Sequence, residues 1–180
     1  CTMIASLILG MGAPTTANYV ITSTIAAPAL MLLGVPILAA HMFVFYFGIV
    51  ADITPPVALA AYAGAGIAKA EPFKTGVTAT KLAIAAFLIP YIFVFNPQML
   101  LIGHTPLGLA QNMTTAILGM FGLGTAMIGY FLTNMSWPER IWFAAGGLLL
   151  IDPGTFTDLI GIGLLLAGVL FQWKKSRTNA

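Results

Sequence analysis

The sequence predicts an all-α integral membrane protein, and three observations predict it. Apolar residues make up 59% of the 180 residues, against about 45–50% in an average soluble domain. Charged residues make up 7%, against about 25% there. The twelve charges are also clustered, with no Asp, Glu, Lys or Arg before Asp52 or between Lys81 and Glu139. A soluble fold of this size could not clothe its surface with that set, so the expected surroundings are a lipid bilayer. The seven basic residues form no stripe interleaved with aromatics, so no nucleic-acid partner is expected. Cys1 is the single cysteine, which excludes an intrachain disulfide. No Cys or His cluster has metal-ligand spacing, and no cofactor is expected.

A helix needs about 20 apolar residues to cross the hydrocarbon core. Residues 1–9 are apolar but too short, and they stop at Gly10-Met11-Gly12-Ala13-Pro14. Cys1 stands inside this run with no initiator Met and no charged leader before a cleavage site. The chain is therefore expected to be the C-terminal part of a longer protein. A second run, 15–33, contains Pro28 and ends at Gly34-Val35-Pro36. A third, 37–53, meets Thr54-Pro55-Pro56, and an Ala/Gly-rich stretch, 57–68, follows. After a polar link at 69–74, residues 76–101 are long enough to cross, with Pro90 and Pro97 in the second half. His104-Thr105-Pro106 marks a turn, and 107–132 crosses again. The runs 141–151 and 159–173 are shorter and read as a compact membrane hairpin around Asp152-Pro153-Gly154.

Basic residues orient the spans. With Lys174, Lys175 and Arg177 in the cytoplasm, one crossing per run puts Arg140 and the group Lys69, Lys74 and Lys81 there too. All seven basic residues then agree with one topology, and the His104 and Asp152 turns fall outside. The same count brings the break at residues 10–14 in from the outer side.

Two breaks carry most of the chemistry. At Gly10–Pro14 two glycines and a proline stop one helix, and Thr15 or Thr16 can start another. The turn reads either as an ordinary loop at the membrane surface or as the tip of a re-entrant hairpin. At Thr54-Pro55-Pro56-Val57 two residues lack an amide hydrogen, near the middle of the 32-residue run 37–68. A double proline favours an unwound break over a bend. Broken helices inside a membrane offer amide N–H groups to an anion and free carbonyls to a cation, the geometry that secondary transporters use. Thr15, Thr16 and Thr54 add hydroxyl oxygens suited to a hard cation such as Na⁺. Asp52 is the only acid in the first 70 residues. An intramembrane carboxylate marks a functional site, or else it caps a helix or pairs with a buried hydroxyl.

These residues also carry a family resemblance. Gly10-Met11-Gly12-Ala13-Pro14-Thr15-Thr16-Ala17, then Phe45-Tyr46-Phe47-Gly48-Ile49-Val50-Ala51-Asp52-Ile53-Thr54-Pro55-Pro56-Val57, then Ala60-Ala61-Tyr62-Ala63 resemble the large membrane subunit of tripartite ATP-independent periplasmic (TRAP) transporters. The resemblance covers roughly residues 1–101 and is closest to forms that fuse the small and large membrane subunits. It divides the chain into 1–101, the C-terminal part of a transport domain, and 102–180, a transmembrane extension. The transport part holds a hairpin tip at 10–16 and a broken helix at 37–68.

The resemblance implies half of an inverted-repeat, elevator-type carrier in the bacterial inner membrane. That carrier is sodium-driven and imports an organic carboxylate delivered by a periplasmic binding protein. Carbonyls near Gly10, Gly12 and Pro14, with oxygens of Thr15 and Thr54, would hold sodium. Thr16, Pro55, Pro56 and Val57 would face the substrate carboxylate. Asp52 matches no universal family position. The first repeat and the small-subunit helices would belong to the rest of the permease chain, and this stretch alone is not expected to transport. An intramembrane enzyme is the rival reading. Ser6, Ser23, His41 and His104 offer the residue types, but there is no Gly-x-Ser-x-Gly motif, Asp52 has no carboxylate partner, and His41 reads as a packed, hydrogen-bonded residue. A structural or assembly segment is the third reading, and it suits the tail. There Met113, Met120 and Met127 share a helix face expected to pack, Gly122 and Ala126 make a small-residue contact, and Trp137, Trp142 and Trp173 fit interfacial anchors.

Overall fold

The computed structural model describes residues 1–103, 105–152 and 154–178. His104 and Pro153, named above in two turns, lie outside the described residues. Among the described residues there are ten α-helices, two 3-10 turns and no strand. They pack as two units, Cys1–Leu100 and Leu101–Ala180.

In the first unit, α1 (Thr2–Gly10) and α2 (Thr15–Ile25) form a helical hairpin whose turn is Met11–Pro14. The run read as one crossing at 15–33 is two helices, because α3 (Ala27–Leu32) starts separately at Ala26. Pro28 lies in the first turn of α3, where it has no N–H for the Thr24 carbonyl. Helix α4 (Ile37–Val50) is the hub, packing on α1, α2, α3 and α7. It is apolar all round, which in a folded chain belongs to a buried helix. Ala40, Phe43, Val44 and Phe47 form its buried stripe against Ala26, Ala27 and Leu30. Phe43 and Phe47 meet Tyr91 edge to face at ring distances of 5.1 and 5.8 Å.

Helices α5 (Leu59–Ala68), α6 (Pro72–Leu82) and α7 (Ile84–Phe95) complete this unit. The crossing expected at 76–101 is shifted. It begins at Pro72, whose fixed φ suits the first helical position. It stops at Phe95, because Asn96 leaves the helix before Pro97. Pro72–Phe95 is one of two stretches among the described residues long and apolar enough to span a bilayer.

The second unit is α8 (Pro106–Ile128), α9 (Trp137–Ile151) and α10 (Thr155–Thr178). Helix α8 ends earlier than expected, at Gly129, whose φ of +77° closes the helix. The Arg140 guanidinium then donates from Nε to the Ala126 carbonyl at 2.8 Å and from Nη2 to that of Met127 at 2.7 Å. A cation on the negative end of a helix is favourable there. Against the apolar run at 159–173, α10 is longer, with 24 residues. Thr155 starts it before the apolar run, and the Lys174–Arg177 tail continues it with good helix formers. Thr155–Arg177 is the second stretch able to span a bilayer.

Close packing in this unit runs through small residues, with Gly122 and Ala126 buried as expected. The tightest approach is between Gly119 and Gly147, where a Cβ on Gly147 would lie 2.6 Å from the Gly119 carbonyl oxygen. Along the methionine face Met120 is half-buried while Met113 and Met127 are 47% and 37% exposed, because the glycine face of α8 takes the α9 contact. One end is tied by polar groups. Gln172, fully buried, accepts from the Thr133 N–H and hydroxyl and donates to Glu139 at 3.0 Å. Glu139 in turn pairs with Lys175 at 2.9 Å. At the other end Gln111 donates to Asp158, a buried acid, at 3.1 Å.

Replacing Gly147 by Val should therefore destabilise the detergent-solubilised protein by about 1–3 kcal/mol, read as a lower thermal unfolding midpoint. Gly124→Ala, which has open space around it, should leave the midpoint unchanged or slightly raised.

Candidate functional site

The site is built from the hairpin tip and the break after α4. Helix α1 ends at Gly10, and Met11 turns extended with its N–H on the Ile8 carbonyl at 3.3 Å. Gly12 follows with φ +75°, a conformation that costs a residue with a Cβ about 1–2 kcal/mol. Pro14 then starts α2 with no side-chain cap. The first-turn amides of α2, including those of Thr15 and Thr16, have no intrahelical partner.

The break is unwound. Helix α4 tightens into a 3-10 turn at Ala51–Ile53, Thr54 is extended, and α5 begins at Leu59 after Ala58 at φ +37°. The peptide between Pro55 and Pro56 is cis. Neighbouring groups bind the freed polar atoms of this segment. The Thr54 hydroxyl donates to the Val50 carbonyl at 2.7 Å, Thr80 donates to Ile53 at 3.1 Å, and the Tyr62 hydroxyl donates to Pro56 at 2.8 Å. Helix α6 approaches at Gly76, where a Cβ would lie 3.1 Å from the Pro55 ring.

Tip and break meet around one cleft of about 460 Å³, lined by Gly12, Ala13 and Pro14 on one side and Asp52, Leu59 and Ala60 on the other. Val57 closes the same junction, with its Cγ1 3.8 Å from where a Gly12 Cβ would stand. Two helix N-termini, those of α2 and α5, border the cleft, and their amides and dipoles favour an anion. The C-terminal ends of α1 and α4 reach the same region, and their carbonyls favour a cation. Asp52 is half-buried and is the acid in the lining.

Of the residues singled out from the sequence, Gly12, Pro14, Asp52 and Val57 come together here, and Thr15 and Thr16 sit exposed at the adjoining start of α2. Pro55 turns instead toward α6, and the exposed Pro56 holds Tyr62 through its carbonyl. Gly10 lies beneath the tip, buried where α1, α2 and α4 converge. A Cβ on Gly10 would stand 2.7 Å from Asn18 Nδ2 and 2.8 Å from the Gly48 carbonyl oxygen.

A comparison with protein families matches residues 1–107 to "Tripartite ATP-independent periplasmic transporter, DctM component". The chain belongs to the DctM family. DctM chains are integral membrane transporters, which places the protein in transport rather than in intramembrane catalysis. No curated protein and no solved structure matches. Both halves of the cleft fall inside the DctM match, whereas residues 108–180 lie outside it.

Sequence reasoning missed Asn18 and the role of Gly48. Asn18 is 1% exposed, and its Nδ2 donates to the Gly10 carbonyl at 3.4 Å. Its Oδ1 is buried without a hydrogen-bond partner, which costs about 1–3 kcal/mol. The available signal was that Asn18 is the only Asn or Gln in the first 95 residues. Next to it, the Tyr19 hydroxyl and His41 Nδ1 hydrogen-bond at 3.0 Å between α2 and α4, so His41 is a packed, bonded residue.

Gly10→Ala should cost about 1–3 kcal/mol of stability, since the added methyl meets the Gly48 backbone. Gly66→Ala in α5, with nothing near it, should gain up to about 1 kcal/mol. Thermal unfolding of the two variants in detergent measures the contrast.

Proposed function

We propose that this DctM chain forms the C-terminal part of a sodium-coupled secondary transporter that imports an organic carboxylate handed over by a periplasmic binding protein. The observation that carries the reading is the single cleft bordered by two helix N-termini and two helix C-termini. An anionic substrate group is stabilised at the N-termini and a monovalent cation at the carbonyl ends. Gly10, Gly12, Pro14, Thr15 and Thr54 are the candidate sodium ligands, and Thr16 with Pro55, Pro56 and Val57 frames the carboxylate. Asp52 gives a physical reason for coupling. A second negative charge entering a cleft already lined by a carboxylate is repelled, and a bound cation removes that repulsion.

In this reading α1 and α2 are a re-entrant hairpin and α4 and α5 a broken membrane helix, moving together as part of an elevator-type transport domain. The rest of the permease chain supplies the first repeat and the small-subunit helices. The assembly sits in the bacterial inner membrane with Lys174, Lys175 and Arg177 in the cytoplasm, where basic residues accumulate. The chain has no Arg before Arg140, so any Arg that pairs the substrate carboxylate comes from elsewhere in the assembly.

Proteoliposomes holding the complete permease, given its binding protein and a panel of labelled dicarboxylates, keto acids and sialic acid, test this. Uptake of one of them should need both the binding protein and an inward Na⁺ gradient. Uptake driven by a pH gradient without Na⁺ would overturn the sodium part, and uptake without the binding protein would overturn the tripartite part. Gly12→Val should insert normally but lose coupled uptake, because Gly12 needs positive φ at the tip. Unchanged uptake in that variant would remove the tip from the site.

A further inference from the structure

We propose that the side-chain oxygen of Asn18 is a ligand of the coupling cation, completing from inside the hairpin a site that the backbone of the tip and break only begins. The proposal rests on the sodium-coupled reading above. Asn18 lies in α2, one turn beyond the Gly10–Pro14 turn, and points into the junction of α1, α2 and α4. Its amide fits between two glycines. A Cβ at Gly48 would stand 2.5 Å from Asn18 Oδ1, and one at Gly10 would stand 2.7 Å from Nδ2. The nitrogen is committed to the Gly10 carbonyl. The oxygen is buried and receives no hydrogen bond.

The surroundings determine what that oxygen can accept. Helices α1 and α4 carry no Lys or Arg, and the one His on them, His41, is bonded to Tyr19. The other polar atoms at the junction are themselves oxygens. The Gly10 carbonyl faces the amide, and the Gly48 carbonyl lies 2.8 Å from the Gly10 Cβ position. Ser6, one turn before Gly10 on the same face of α1, presents a second buried side-chain oxygen with no partner, a hydroxyl. Two buried side-chain oxygens without a hydrogen-bond partner, beside backbone carbonyls and with no Lys or Arg on α1, α2 or α4, suit a cation. With no carboxylate among them they suit a monovalent ion, since divalent ions draw on charged ligands.

The alternative is that Asn18 is only a packing wedge, and a pair of variants separates the two roles. Asn18→Ala removes the oxygen and leaves a gap. Asn18→Ala combined with Gly48→Ala refills the gap with a methyl at the vacated position. The full permease in detergent is melted in NaCl or choline chloride at equal ionic strength, and the Na⁺ concentration giving half the maximal rise in midpoint is recorded. The expected result is a wild-type rise specific to Na⁺. The double variant should recover the wild-type midpoint in choline but need at least ten-fold more Na⁺ for its rise. A double variant with wild-type Na⁺ dependence overturns the ligand role while leaving sodium coupling standing. A wild-type protein indifferent to Na⁺ here and in uptake overturns the sodium reading itself, and the ligand with it.

Discussion

A break in a packed helix leaves amides and carbonyls without their helical partners, and each such group buried away from water costs free energy unless protein supplies a partner. The first unit is arranged around that constraint. Its two breaks, at Met11–Pro14 and after Ile53, lie beside packed helices. Thr54, Tyr62 and Thr80 bring hydroxyl groups to the freed carbonyls of the second break. At the first, the Asn18 amide holds the carbonyl of Gly10.

Helix α4 makes this possible. It packs on the hairpin, on α3 and on α7, and runs directly into the 3-10 turn that begins the break. Gly48 faces the hairpin while Phe43 and Phe47 face Tyr91, so one helix accommodates a close approach on one side and fills space on the other. Gly48 lets α1 and α2 approach α4: a Cβ there would stand 2.5 Å from Asn18 Oδ1, so a larger residue would disturb this packing.

The second unit follows a different rule. No helix breaks in its interior, and its close contacts run through Gly119 and Gly147, as expected where helices associate by backbone approach rather than by water exclusion. Its polar groups are gathered at the ends, in the Gln172–Glu139–Lys175 network and the Gln111–Asp158 pair. The DctM match ends at residue 107, near the start of α8.

The sequence alone determined the class and the landmarks. The sparse charges require a membrane, and the prolines and glycines at 10–14 and 54–57 require breaks, because these effects are local to the residues that carry them. Helix limits were legible only where a breaker stood at the boundary. Pro28 split a run that hydropathy read as one, Asn96 ended a crossing early, and α10 ran on into polar residues that hydropathy counts against a span. Tertiary structure alone decided which face of α8 is covered, so Met113 and Met127 are exposed while Gly119 and Gly122 pack. It also decided that Gly10, Asn18 and Gly48 meet, with Pro55 turned away toward α6. A periodic pattern shows that a helix has an apolar face. The partner that comes within contact distance of that face depends on the path of the chain between them.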